Sequence, residues 1–184
     1  MTTLNDVAHL ELTWKQVGIF KQEYTLLAGG QTLATLKFPS SLSTTAVAWC
    51  DDRHWTFRRG FWRNKVTVYA NDSANELLTF QGNTWGNGGA LYLNDGRQYR
   101  THSNFWGTRY EILQGEDEVL LRYNIHSELR SNAGLEITPA ARRLPELALF
   151  APLGWYLAIL LQNDAASVAA ISASVAAISA STLH

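Results

Sequence analysis

With 184 residues, 46% of them hydrophobic and 17% charged, and a formal net charge of -1, the chain has the composition of one core-rich domain carrying at most a short appendage. This excludes a disordered polymer and a globally basic nucleic-acid binder, so no nucleic acid is expected as a partner. A lone cysteine, Cys50, excludes a disulfide framework and an all-cysteine zinc site.

The first six residues have no basic stretch leading into an apolar run, so no signal peptide is read and a cytoplasmic location is expected. From there the first three quarters of the chain predict twelve short strands. They fall at 9–14, 23–28, 31–38, 45–50, 53–58, 66–70, 76–80, 90–93, 97–101, 108–113, 118–124 and 135–138. Each is rich in β-branched or aromatic residues, and several alternate apolar with polar. Turn chemistry separates them: Gly29-Gly30, Asp51-Asp52, Asn71-Asp72, Gly86 to Gly89, Asn94-Asp95-Gly96, Gly115-Glu116-Asp117 and Asn132-Ala133-Gly134. So many short strands with regular turns predict a meander that closes, or nearly closes, into a barrel.

The pattern changes at Pro145. Residues 147–161 carry no charge, and Pro145 and Glu146 suit a helix start. A helix over 145–161 would be apolar all round, which fits a buried core or a membrane span. Fifteen residues reach only about 22 Å, against the ~30 Å of a bilayer core. Strands of five to seven residues span about 17–23 Å. The helix is therefore assigned to the lumen of the barrel, which twelve strands leave wide enough to hold it. The reading is one domain over 1–163 with its central helix at 145–161, followed by an Ala/Ser-rich tail over 164–184 that forms a second helix.

The strand meander, the segments Trp55 to Arg63 and Ser103 to Glu111, and the 145–161 helix together resemble the tubby C-terminal-like superfamily over residues 8–162. That superfamily includes tubby proteins, LURP-one-related proteins and phospholipid scramblases, and this chain looks like a small bacterial branch of it. The resemblance implies a twelve-stranded barrel wrapped around a hydrophobic C-terminal helix. It also implies a non-enzymatic, membrane-associated or scaffold role, since tubby proteins bind phosphoinositides and scramblases act at membranes. On that reading the protein is cytoplasmic and peripheral to the inner face of the membrane.

Three features bear on function. Residues 53–65 hold Arg53, Arg58, Arg59, Arg63 and Lys65 with no acid, interleaved with Trp55, Phe57, Phe61 and Trp62. Guanidinium and ammonium groups make charge-assisted bonds to phosphate, and aromatics at a hairpin tip suit a headgroup layer. Arg53, Arg58, Arg59, Arg63, Lys65 and Trp62 are thus the candidate site for an anionic headgroup. The plainer alternative has the aromatics inside, the cations outside, and Asp51, Asp52 and Glu76 neutralising them.

Second, Asn83-Thr84-Trp85-Gly86 recurs as Asn104-Phe105-Trp106-Gly107. Asn and Gly both tolerate positive φ, so each copy predicts the same bent turn, with its Trp covering a barrel end. Third, the tail repeats Ala-Ser-Val-Ala-Ala-Ile-Ser in tandem, placing Val168, Ile171, Val175 and Ile178 at heptad spacing. This stripe predicts self-association or docking into a larger assembly, with membrane anchoring as the alternative. An assembly subunit without a small-molecule ligand is accordingly the alternative function.

No catalytic set stands out. The five histidines and Cys50 have no metal-ligand spacing, so neither a metal nor another cofactor is expected. Adjacent His102 and Ser103 would face opposite sides of a strand and could not pair as base and nucleophile.

Overall fold

In the computed structural model, which describes residues 3–18, 21–40, 43–70, 73–127 and 131–181, the chain forms a closed antiparallel barrel around one helix. A short helix α1 (Leu4–Val7) precedes the strands β1 (Leu12–Gly18), β2 (Lys21–Ala28), β3 (Gln31–Lys37), β4 (Thr45–Cys50), β5 (Arg53–Arg59) and β6 (Lys65–Ala70). The second half is β7 (Glu76–Gly82), β8 (Gly88–Leu93), β9 (Gln98–Ser103), β10 (Arg109–Gln114), β11 (Glu118–Ser127) and β12 (Ser131–Ile137). A 3-10 turn (Ala141–Arg143) then leads into helix α2 (Leu147–Ser181).

Every strand pairs with its neighbours in the chain, and β1 closes the ring on β12 with Leu12 opposite Leu135 and Trp14 opposite Ala133. Register shifts between β1 and β2, β2 and β3, β6 and β7, and β10 and β11 bend the sheet toward closure. Closure leaves no free strand edge among these twelve.

All twelve strands appear, with ends moved by up to four residues; the predicted turn Asn132-Ala133-Gly134 is instead part of β12, where these residues pair with Lys15, Trp14 and Thr13, and Asn71-Asp72 lies outside the described residues. The first strand starts at Leu12 and not at residue 9, because the chain is still leaving α1 there and Leu10 donates its N–H to the Val7 carbonyl at 2.9 Å. Alternation then sets the core. In β9, Tyr99, Thr101 and Ser103 are buried while Gln98, Arg100 and His102 are exposed. His102 and Ser103 therefore do face opposite sides.

Helix α2 fills the lumen. Residues 147–160 are all buried, a length of about 21 Å that matches the strands. Aromatic rings lock the helix to the wall. Trp155 stacks on Trp14 at 6.4 Å and meets Tyr24 edge-on at 5.8 Å. Tyr156 lies 5.2 Å from Phe57 and 5.7 Å from Phe38, and Phe150 lies 4.9 Å from Tyr99.

The expected pair of helices is in fact one. Helix α2 runs unbroken from Leu147 to Ser181, because Gln162, Asn163 and Asp164 continue the turn instead of ending it. Its first half is the core, and from Asn163 onward it stands outside the barrel, with Val168 and Ile171 each 64% exposed. Of the predicted tail stripe, the side chains of Val175 and Ile178 lie outside the described residues. Among the described residues no helix is long and apolar enough to cross a membrane.

Two arginines pin this helix to opposite rims. At its entrance, Arg97 of the β8–β9 turn donates to both carboxylate oxygens of Glu146, with Nη1 3.1 Å from Oε2, and also to Asp95. At its exit, Arg59 at the end of β5 makes a two-pronged pair with Asp164, with Nη1 3.0 Å from Oδ1. Glu146 also suits the positive end of the helix dipole.

Candidate functional site at the helix exit

In an antiparallel meander, alternate hairpins share one end of the barrel. The β5–β6, β7–β8 and β9–β10 tips therefore lie together, and the Arg59–Asp164 pair puts the helix exit among them.

These three tips are built alike. Each is a four-residue turn: Gly60-Phe61-Trp62-Arg63, Asn83-Thr84-Trp85-Gly86 and Asn104-Phe105-Trp106-Gly107. In each, the carbonyl of the first residue accepts the N–H of the fourth, at 3.0, 3.2 and 3.0 Å. In each, the third residue is Trp and the fourth has positive φ, at 62°, 68° and 66°. The two Asn tips add side-chain bonds. The Asn83 Oδ1 accepts from the Asn87 N–H at 3.2 Å, and the Asn104 Oδ1 accepts from the N–H groups of Thr108 and Arg109 at 2.9 and 3.0 Å.

The predicted likeness of the two Asn-x-Trp-Gly turns holds, but their Trp side chains do not cover the barrel. Trp85 and Trp106 point into solvent, as do Phe61, Trp62 and Phe105, and all five are between 79% and 91% exposed. The turns carry these side chains outward, beyond the rim of the barrel. The third copy escapes a sequence search because Arg63 stands where the other two turns have Gly. A non-Gly residue at φ 62° is strained, and such positions concentrate at functional sites.

The candidate headgroup residues divide. Arg53 begins β5 at the opposite end, roughly 17 Å from Arg58 along the strand, and lies over the Trp55 ring at 5.6 Å. It does not join the cluster. Arg58 is exposed on the outer wall above Tyr69, 5.0 Å from the ring centroid. Arg59 is not a free cation either. Its side chain is only 8% exposed, and it is held by Asp164 and by the Arg63 carbonyl, 2.7 Å from its Nε. Trp62, Arg63 and Lys65 remain together at the tip, all exposed. The expected inside-outside alternation holds for Trp55 and Phe57, which are buried, and fails for Phe61 and Trp62 in the turn. The acids expected to neutralise the cluster, Asp51 and Asp52, sit in the turn at the far end of β5, where Asp51 accepts the Leu4 N–H at 2.9 Å.

These three tips differ in charge from three of the turns at the opposite end, although Asp164 sits among the tips, paired with Arg59. Segments 58–65, 81–88 and 102–109 contain Arg58, Arg59, Arg63, Lys65, His102 and Arg109, and no Asp or Glu. Turns 51–53, 94–97 and 114–118 contain Asp51, Asp52, Asp95, Glu116, Asp117 and Glu118 against Arg53 and Arg97.

Behind the tips, between α2 and strands β5 to β8, lies a cavity of about 240 Å³. Tyr110 lines it; burial pushes the phenol pKa upward, so it stays neutral in the physiological range. Among the described residues no group of three His, Cys, Asp or Glu side chains is placed to hold a metal ion. Compared with known proteins, the chain matches no family model, no curated protein and no solved structure.

Proposed function

We propose that this protein is a non-catalytic membrane-surface protein that meets anionic lipid with the helix-exit end of its barrel. The observation that carries the reading is the crown of Phe61, Trp62, Trp85, Phe105 and Trp106, five exposed aromatics on three like-built tips that contain no acid and are flanked by the cations Arg63, Lys65 and Arg109. Trp in particular favours the water–headgroup boundary, where its ring is buried and its N–H still finds a partner. Each Lys or Arg near an anionic surface adds about 1 kcal/mol, which gives reversible attachment. The acidic far end would be repelled, so the charge asymmetry orients the barrel. The layout of barrel and helix is the one that resemblance to the tubby-like superfamily implies, and it supports the same reading.

The test is sedimentation of the full chain with vesicles of neutral lipid alone and of neutral mixed with anionic lipid. Binding should require the anionic lipid, weaken with salt, and fall at least tenfold when Trp85 and Trp106 are both changed to Ala. Equal binding to both vesicles, or binding indifferent to those changes, would refute the proposal.

A second reading, an assembly subunit joined through its tail, draws on exposed Val168 and Ile171 along the projecting part of α2. Light scattering on the full chain and on a chain ended at Asn163 separates the two. Oligomers that require the tail in plain buffer favour assembly.

A further inference from the structure

The cavity behind the crown has an apolar floor. Leu157, Leu160 and Leu161 of α2 face Val66, Phe80 and the ring of Tyr110. Protein interiors are normally close-packed, and elsewhere aromatic rings pack α2 against the wall, although a second space of about 370 Å³ lies at the helix entrance beside Trp55, Leu78 and Leu149. At about 240 Å³ the space is smaller than the roughly 300–1,000 Å³ of a site that encloses a whole small molecule. It suits one end of a longer, apolar ligand.

The rim carries charge. Arg59 and Asp164 answer each other there, while the Arg63 side chain has no hydrogen-bond or ion-pair partner among the described residues. The rim is therefore cationic by one guanidinium. That guanidinium sits on the strained residue, at the place where both sister turns have Gly. A turn built only for shape would hold Gly there, because Gly adopts this backbone freely.

We propose that the cavity takes the methylenes nearest the headgroup of one alkyl chain of an anionic membrane lipid, whose headgroup rests at the rim against Arg63. The proposal rests on the membrane-facing reading of this end and adds to it a single-chain binding site. The crown brings the rim to the headgroup layer, the leucine floor receives the chain, and the positive rim selects the anionic head.

The experiment titrates the full chain with butyl, hexyl, octyl and decyl phosphate, each below its micelle concentration, and with inorganic phosphate. Binding should saturate at one molecule per chain and tighten by about fourfold per added methylene until the cavity is full. Leu161→Trp, which fills the cavity from its half-buried edge, should weaken decyl phosphate at least tenfold. Arg63→Gly should weaken it as well while raising the melting temperature, a combination that a purely structural Arg63 would not produce. Affinity independent of chain length, or inorganic phosphate binding as tightly as decyl phosphate, would overturn the proposal without needing either variant. Anionic vesicles bound by a chain that shows no saturable decyl phosphate binding would also overturn it, and would leave the membrane reading standing. Decyl phosphate bound by a chain that ignores anionic vesicles would uphold the cavity and refute the membrane reading.

Discussion

Gly154 and Tyr123 occupy one space between them. The Tyr123 hydroxyl lies 3.0 Å from the Phe150 carbonyl and 2.9 Å from the Ala151 carbonyl, and shares its proton with these two helix oxygens. Its ring fills the notch that the missing side chain of Gly154 leaves in α2. A Cβ at residue 154 would come within 2.6 Å of two ring carbons. Burial holds the phenol pKa well above its ordinary value, so the hydroxyl remains a donor.

Gly154→Ala should therefore destabilise the fold although Ala is the better helix former by about 1 kcal/mol. Overpacking at a rigid contact costs typically 1–3 kcal/mol, and here it falls on both a helix and a strand. Denaturant unfolding of the single variant and of Gly154→Ala with Tyr123→Leu measures it. The second change should restore part of the loss by vacating the ring position. A Gly154→Ala protein as stable as the parent would disprove the fit.

Breaking the exit pair should loosen the projecting helix more than the barrel. Asp164→Asn leaves the largely buried Arg59 guanidinium without its carboxylate, at a cost of about 1–3 kcal/mol. A double-mutant cycle with Arg59→Leu should give a coupling above about 0.5 kcal/mol. Hydrogen exchange should speed up at 161–166 and hold steady at 149–157. Uniform acceleration along α2 would show that the pair serves the whole fold instead.

Arg63→Gly removes strain from the β5–β6 tip and should stabilise by roughly 0.5–1.5 kcal/mol, read as a higher denaturant midpoint with an unchanged slope. Gly86→Ala and Gly107→Ala, at φ 68° and 66°, should act in the opposite direction by similar amounts. If all three substitutions shift the midpoint the same way, the equivalence of the tips is wrong.

Cys50 should respond to pH through unfolding alone. Burial pushes its thiol pKa from 9.0 up to about 12. The folded-state value is the higher one, so the native state retains a proton that the unfolded chain releases. The stabilisation it reports is complete below pH 9.0 and is lost as pH rises toward 12. Thiol labelling at pH 8 should be negligible in native protein and prompt in denaturant. Cys50→Ala should flatten the alkaline loss of stability, and a slope unaffected by it would assign that loss to other groups.

Much of this architecture was legible in the chain because local chemistry spells it out. Runs such as Asn94-Asp95-Gly96 mark hairpins, and an uncharged run from Leu147 to Leu161 has no face it can leave in water. The site was legible only in part. Arg59 and Asp164 stand 105 residues apart, so no local pattern links them. Arg53 reads as a neighbour of Arg58 until β5 extends and carries the two to opposite ends. The tip Trp residues are recognisable as turn residues, but whether a turn side chain folds inward or points away depends on where the turn carries it relative to the rim of the barrel. The third tip was hidden because Arg63 adopts a backbone that sequence reasoning reserves for Gly.

The position of α2 in chain order has a consequence for biosynthesis. The element that serves as the interior is made after every strand that must enclose it. A nascent chain that has reached Ile137 can pair all twelve strands, but it has nothing for Trp14, Phe57 or Tyr123 to pack against until the segment through Leu160 is released. Ring closure between β1 and β12 and filling of the ring are thus one late, long-range event, of the kind that folds slowly and exposes apolar surface meanwhile. A chain stopped at Pro145 would be a sheet with a wet, aromatic inner face, and its fate would lie with chaperones and proteases.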